Sequence, residues 1–145
     1  MTLDDRICPE GEVRWHYERG EGRRKHRWGK DYAGFVPGEK GPIGKCPSSI
    51  DQATAEILLN RGVPFYESPD AGSPARIYSV HRGVIYESVP TTPGESYHGY
   101  PWRGDLPGRS PLPRAILKQL QQQAESTNDL QAFKQWLRKY GGRQS

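Results

Sequence analysis

Residues Arg76–His81 and Val84–Val89 are two runs of β-branched and aromatic residues on either side of Arg82-Gly83. Such runs around a Gly-containing turn form a β-hairpin. In the first run Ile77, Ser79 and His81 alternate with Tyr78 and Val80. In the second, Val84, Tyr86 and Ser88 alternate with Ile85, Glu87 and Val89. No other stretch is so strongly sheet-forming, so the hairpin should be the centre on which helices pack.

The flanking patterns supply those helices. Ser49 and Gln52 have capping-box spacing. Ile50, Ala53, Ile57 and Leu58 then share one helical face, and Gly62 sits where a left-handed terminating residue belongs, so a helix is expected over Ile50–Arg61. Val63–Glu67 reads as a short edge strand, because Pro64 cannot serve in a central one. Ser110 and Pro111 open a second helix with an apolar face of Ile116, Leu117, Leu120 and Ala124. Asn128 caps a third, whose stripe is Leu130, Phe133, Trp136, Leu137 and Tyr140 and which Gly141 ends. The fold class is therefore α+β: a small, mainly antiparallel sheet centred on the hairpin at 76–89, one helix before it and a C-terminal helical hairpin packed on it.

Two stretches resist regular structure. Residues 29–48 hold eight Gly or Pro in twenty, and residues 90–113 hold ten in twenty-four. Both are expected to be long loops, at 29–48 and 90–110. Upstream, residues 12–18 alternate strictly, with Val13, Trp15 and Tyr17 on the inner side of an expected strand; residues 23–30 could pair with it. At 145 residues the chain suits one domain, with 1–11 and 142–145 expected to be flexible.

Composition narrows the function classes. No apolar run approaches the roughly 20 residues of a membrane helix. The N-terminus lacks the basic and apolar regions of a secretory signal, and two cysteines do not make a disulfide framework, so a cytoplasmic home is expected. Cys8, His16, His26 and Cys46 lack a recognised zinc-ligand spacing, so no metal or other cofactor is implied. Gly38–Cys46 has the look of a phosphate loop, but Glu39 stands where its first Gly belongs and Cys46 where its hydroxyl belongs. Signatures of zinc deaminases, serine hydrolases, zinc proteases and dinucleotide-binding folds are missing.

The net charge of +4 is unevenly spread. Residues 49–102 carry 3 Lys/Arg against 6 Asp/Glu, whereas residues 103–145 carry 8 against 3. The densest cationic stretch, 14–30, mixes seven Lys/Arg with two Trp, two His and a Tyr. Cations neutralise phosphates and exposed aromatics stack on unpaired bases, so the leading expectation is a polyanion binder, most readily of RNA or single-stranded nucleic acid, through Arg14, Arg23, Arg24, Lys25, Arg27, Trp28 and Lys30. A plain solvated basic surface is the alternative. A second expectation is a metal-independent, toxin-like ribonuclease, in which His81, Glu87 and His98 move protons and Arg103 holds transition-state charge. A third is a protein-interaction module using the aromatic cluster Tyr97–Trp102, which could equally fold inward as a minicore.

Overall fold

The computed structural model describes residues 14–18, 30, 33–36, 43–45, 50–106 and 111–141. Strands β5 (Arg76–His81) and β6 (Val84–Thr92) form the central hairpin, closed by Arg82 and Gly83 with φ of 53° and 82°. Positive φ at both turn residues matches the right-handed twist of the flanking strands. Gly83 also lies under the third helix: a Cβ there would meet Ala132 Cβ and Phe133 N at 2.6 Å. The turn glycine thus lets the chain bend and lets a helix dock on the bend.

Around the hairpin a five-stranded mixed sheet is built in the order β1-β7-β6-β5-β4. Its other members are β1 (His16–Tyr17), β4 (Val63–Phe65) and β7 (Ser96–Pro101). Only the β1–β7 pairing is parallel. β4 is at the sheet edge, where Pro64 costs no central ladder bond. A separate antiparallel pair joins β2 (Gly34–Val36) to β3 (Ile43–Lys45).

Helix α1 (Gln52–Arg61) covers one face of the sheet, while α2 (Arg114–Ser126) and α3 (Leu130–Tyr140) form a C-terminal pair on the other. On the first face Ile77, Leu59, Tyr97 and Trp15 make one core cluster; Tyr86, Ala55 and Ile50 make another. On the second face Tyr78, Ile85 and Trp102 pack against Ile116, Leu120, Phe133 and Trp136. The α+β architecture, the central hairpin, the edge strand and the apolar stripes of α2 and α3 all match the sequence expectation. Among the described residues no helix is long and apolar enough to cross a membrane.

Several local expectations are corrected. Residues 90–110 are not one long loop, because β6 runs to Thr92 and β7 follows after a tight turn at Gly94 (φ 80°). The stretch 29–48 likewise contains β2 and β3. Helix α1 is capped by Asp51, whose carboxylate accepts from Thr54 N, and not by Ser49. Its inward residues are Ala55, Leu59 and Asn60; Ala53 is exposed and Ile57 is 55% exposed. The polar Asn60 defeats a purely apolar reading of this helix. Its side chain accepts from the backbone N–H of Arg14 and Trp15 and donates to the carbonyls of Trp15 and Glu56, which ties the N-terminal strand to the helix. Gly62 is extended, not left-handed, and a Cβ there would come within 2.6 Å of Ile77. Helix α2 starts at Arg114 rather than Pro111, and α3 is preceded by Asp129, with Asn128 left-handed at φ 62°. The expected strand at 23–30, apart from Lys30, which is not in a strand, and the cap at Ser110 lie outside the described residues.

Candidate functional site

The β5–β6 register follows from the two-residue turn. Val80 faces Ile85, Tyr78 faces Glu87 and Ile77 faces Ser88. On the other side of β6, Glu87 faces Tyr100 and Val89 faces His98. One transverse row, Tyr78–Glu87–Tyr100, therefore crosses three strands on a single face, with Arg76 and His98 at neighbouring positions of that same face.

Glu87 is 2% exposed, an ionisable group in the middle of a sheet. A buried carboxylate needs partners for both oxygens. Tyr78 donates its hydroxyl to Oε2 at 2.8 Å, and Tyr100 donates to Oε1 at 2.6 Å. The Arg76 Nε lies 3.2 Å from Oε2, with 44% of the Arg76 side chain still exposed. His98 Nδ1 and Thr91 Oγ1 are hydrogen-bonded at 2.8 Å, which fixes the imidazole plane. Since Glu87 pairs with Tyr100, His98 occupies the diagonal position, typically about 7–8 Å away across a strand pair. Tyr100 and His98 are both half-buried and reach solvent. Helices α2 and α3 sit over β4, β5 and β6, so the covered half of this face is apolar and the half towards β7 is polar.

Tyr78 carries the electrostatic signature of this arrangement. Burial, and then the neighbouring Glu87 charge, push its hydroxyl far above the ordinary tyrosine range. An unfolded tyrosine ionises near pH 10. Above that pH the unfolded chain sheds a proton that folded Tyr78 keeps, so stability should fall as pH rises; below it the Tyr78 contribution is constant. Denaturant midpoints across the alkaline range should show this fall, and Tyr78→Phe should make it shallower. An identical fall in wild type and Tyr78→Phe would contradict the assignment.

The expected catalytic set is only partly assembled. Glu87 and His98 share the face. His81 does not: it pairs with Val84 on the opposite face, at the far end of the hairpin. There it lines an open groove of about 520 Å³ with Arg61, Arg82, Gln123, Thr127 and Asp129. Arg103 is elsewhere too. It donates to both Asp105 carboxylate oxygens, at 2.8 and 3.0 Å, and stands 4.9 Å over Phe35 and 5.0 Å over Tyr140. The hydrogen bond to Asp105 raises the Arg103 pKa and lowers that of Asp105. Arg103 is thus a clamp between the sheet end and α3, and Arg76 is the arginine beside Glu87. Arg76 and Tyr78 carry no functional expectation from the sequence, and Tyr100 only one as a member of the aromatic cluster Tyr97–Trp102. Counting outward from the Arg82-Gly83 turn would have paired Tyr78 with Glu87.

Of the expected nucleic-acid residues, Arg14 and Lys30 are exposed, and Arg14 lies 5.4 Å over the ring of buried Trp15. Arg23, Arg24, Lys25, Arg27 and Trp28 lie outside the described residues, as do Cys8, His26 and Cys46. His16 is exposed, with Nδ1 3.0 Å from Glu56. The segment 97–102 divides by strand alternation: Tyr97, Gly99 and Pro101 are buried on the α1 side, His98 and Tyr100 lie on the polar part of the other face, and Trp102, past the end of β7, is buried in the core beneath α2 and α3. No protein-family model, curated protein or solved structure matches the chain.

Proposed function

We propose that the protein binds single-stranded RNA, with the polar half of the β5–β6–β7 face as the platform for a ribose–phosphate unit. One observation carries the reading: Arg76, Tyr100 and His98 reach solvent together on one face, arranged around a buried carboxylate that fixes two of them. A guanidinium, a phenol and an imidazole are the donors that phosphates and sugars accept from, and Tyr and His rings also stack on unpaired bases. The net charge of +4 and the cation-rich stretch Arg14–Lys30 supply the long-range attraction.

A fluorescent oligonucleotide with 2′-O-methyl riboses, titrated at several salt concentrations, tests it. Wild type should bind, with affinity falling as salt rises. The Arg23, Arg24, Lys25 and Arg27 to Ala quadruple variant should bind more weakly, its salt slope flatter by roughly 0.7 for each lost phosphate contact. Arg76→Ala should lose about one such contact. No binding by the wild type would refute the proposal, and unchanged binding in both variants would refute these contacts.

A further inference from the structure

We infer that the same face cleaves the RNA strand it holds, with Tyr100 relaying a proton to Glu87 and His98 supplying the leaving-group proton. This rests on the binding reading above and goes beyond it. The geometry has a feature that binding alone does not require. Glu87 is buried at 2% exposure, out of reach of a substrate, yet Tyr100 bridges it to solvent through a 2.6 Å hydrogen bond. A phenol so placed can take a proton on its oxygen while passing its own inward. That gives a buried carboxylate a route to a bound 2′-hydroxyl.

The step balances without another reactant. The ribose 2′-oxygen bonds to the adjacent phosphorus as the bond from phosphorus to the 5′-oxygen breaks. The 2′-hydroxyl proton goes to the Tyr100 oxygen while the Tyr100 proton goes to Glu87. Protonated His98 gives its proton to the departing 5′-oxygen. The products are a 2′,3′-cyclic phosphate and a free 5′-hydroxyl. Arg76, held beside Glu87 with 44% of its side chain exposed, lies where charge builds up on the phosphoryl oxygens. The base route and the acid, Tyr100 and His98, stand two residues apart on one face of β7, about 7 Å along the strand, a separation that one phosphodiester spans. Among the described residues, Glu87 meets Arg76 and Tyr78 from β5 and Tyr100 from β7; α2 and α3 bring the apolar Ile116, Leu120 and Phe133 to the covered half of this face, and β3, which carries Lys45, packs against β7.

The experiment uses the full chain, excess EDTA and a mixed-sequence single-stranded RNA, beside the uncleavable 2′-O-methyl strand. Cleavage should yield 2′,3′-cyclic phosphate ends. Tyr100→Phe and His98→Gln should each slow cleavage of fully bound RNA, at saturating protein, by about 100-fold or more, whatever affinity for the uncleavable strand each variant also loses. In Glu87→Gln the acid limb of the pH–rate profile should disappear, a change that mere loosening of the fold would not cause. His98→Gln, at a half-exposed position, keeps the test decisive if a Glu87 variant fails to fold. A wild type that binds the uncleavable strand but leaves RNA intact overturns this inference and spares the binding reading. Failure to bind either strand overturns both. Cleavage at an undiminished rate in Tyr100→Phe and His98→Gln overturns the assignment to this face.

Discussion

Trp136→Ala should lower the unfolding free energy by about 3–5 kcal/mol, the usual cost of truncating a buried aromatic. Trp136 is 8% exposed and sits at the junction of α3 with the sheet. Its ring centroid lies 4.4 Å from that of Tyr140 and 6.0 Å from that of Phe35, and its Nε1 donates to the Trp102 carbonyl at 3.1 Å. Alanine removes the ring volume and also leaves a buried carbonyl without that donor, so the site cannot close without loss. Trp102 is itself 1% exposed and follows directly on β7, so the damage should reach the end of the sheet that carries Tyr100. A chemical denaturation midpoint that does not move would show that the stripe is not packed on the core.

What could be read in the sequence depended on how local the signal was. The α3 stripe of Phe133, Trp136 and Tyr140 has one period and one face, and it packs as the period demands. The hairpin was equally local, because Arg82-Gly83 fixes both the turn and the strand alternation. Helix α1 misled because Asn60 outweighs Ala53 and Ile57: four hydrogen bonds to backbone make a polar residue the inward one, and no periodicity of apolar side chains reports that. Strand β7 was hidden by its Gly and Pro. Gly99 is needed because a Cβ there would stand 2.7 Å from Ser88 Oγ, and Pro101 ends the strand, so residues that usually signal a loop are here consequences of close packing. The site followed the same logic. Glu87 and His98 were visible as chemical types, but which arginine joins them was a question of register. By parity of alternation His81 falls on the wrong face, and Arg103, being past the end of β7, finds Asp105 instead.

Glu87→Ala should cost about 3 kcal/mol, and the manner of the loss distinguishes an ion pair from an anchor. If the Arg76–Glu87 pair were the main stabilising contact, Arg76→Ala would be nearly as costly. The Arg76 side chain is 44% exposed, however, so water can solvate its charge when Glu87 is gone, and partly exposed pairs contribute less than about 1 kcal/mol. The two phenols weigh more. Tyr78 is 6% exposed, and with Glu87 removed its hydroxyl loses a charged acceptor in a place water reaches poorly. An orphaned buried donor costs about 1–3 kcal/mol. Tyr78→Phe alone should therefore cost about 1–2 kcal/mol, and the Tyr78→Phe/Glu87→Ala double variant little more than Glu87→Ala. That leaves a coupling of about 1 kcal/mol or more in a double-mutant cycle. Denaturant midpoints of wild type, the two single variants and the double variant settle it: additive losses would mean that the Tyr78–Glu87 hydrogen bond does not hold β5 to β6. A large coupling together with a small Arg76→Ala effect would mean that the tyrosines anchor the carboxylate and Arg76 contributes little to stability. The fold then loses little when Arg76 turns towards a phosphate, which is the freedom a ligand-contacting arginine needs.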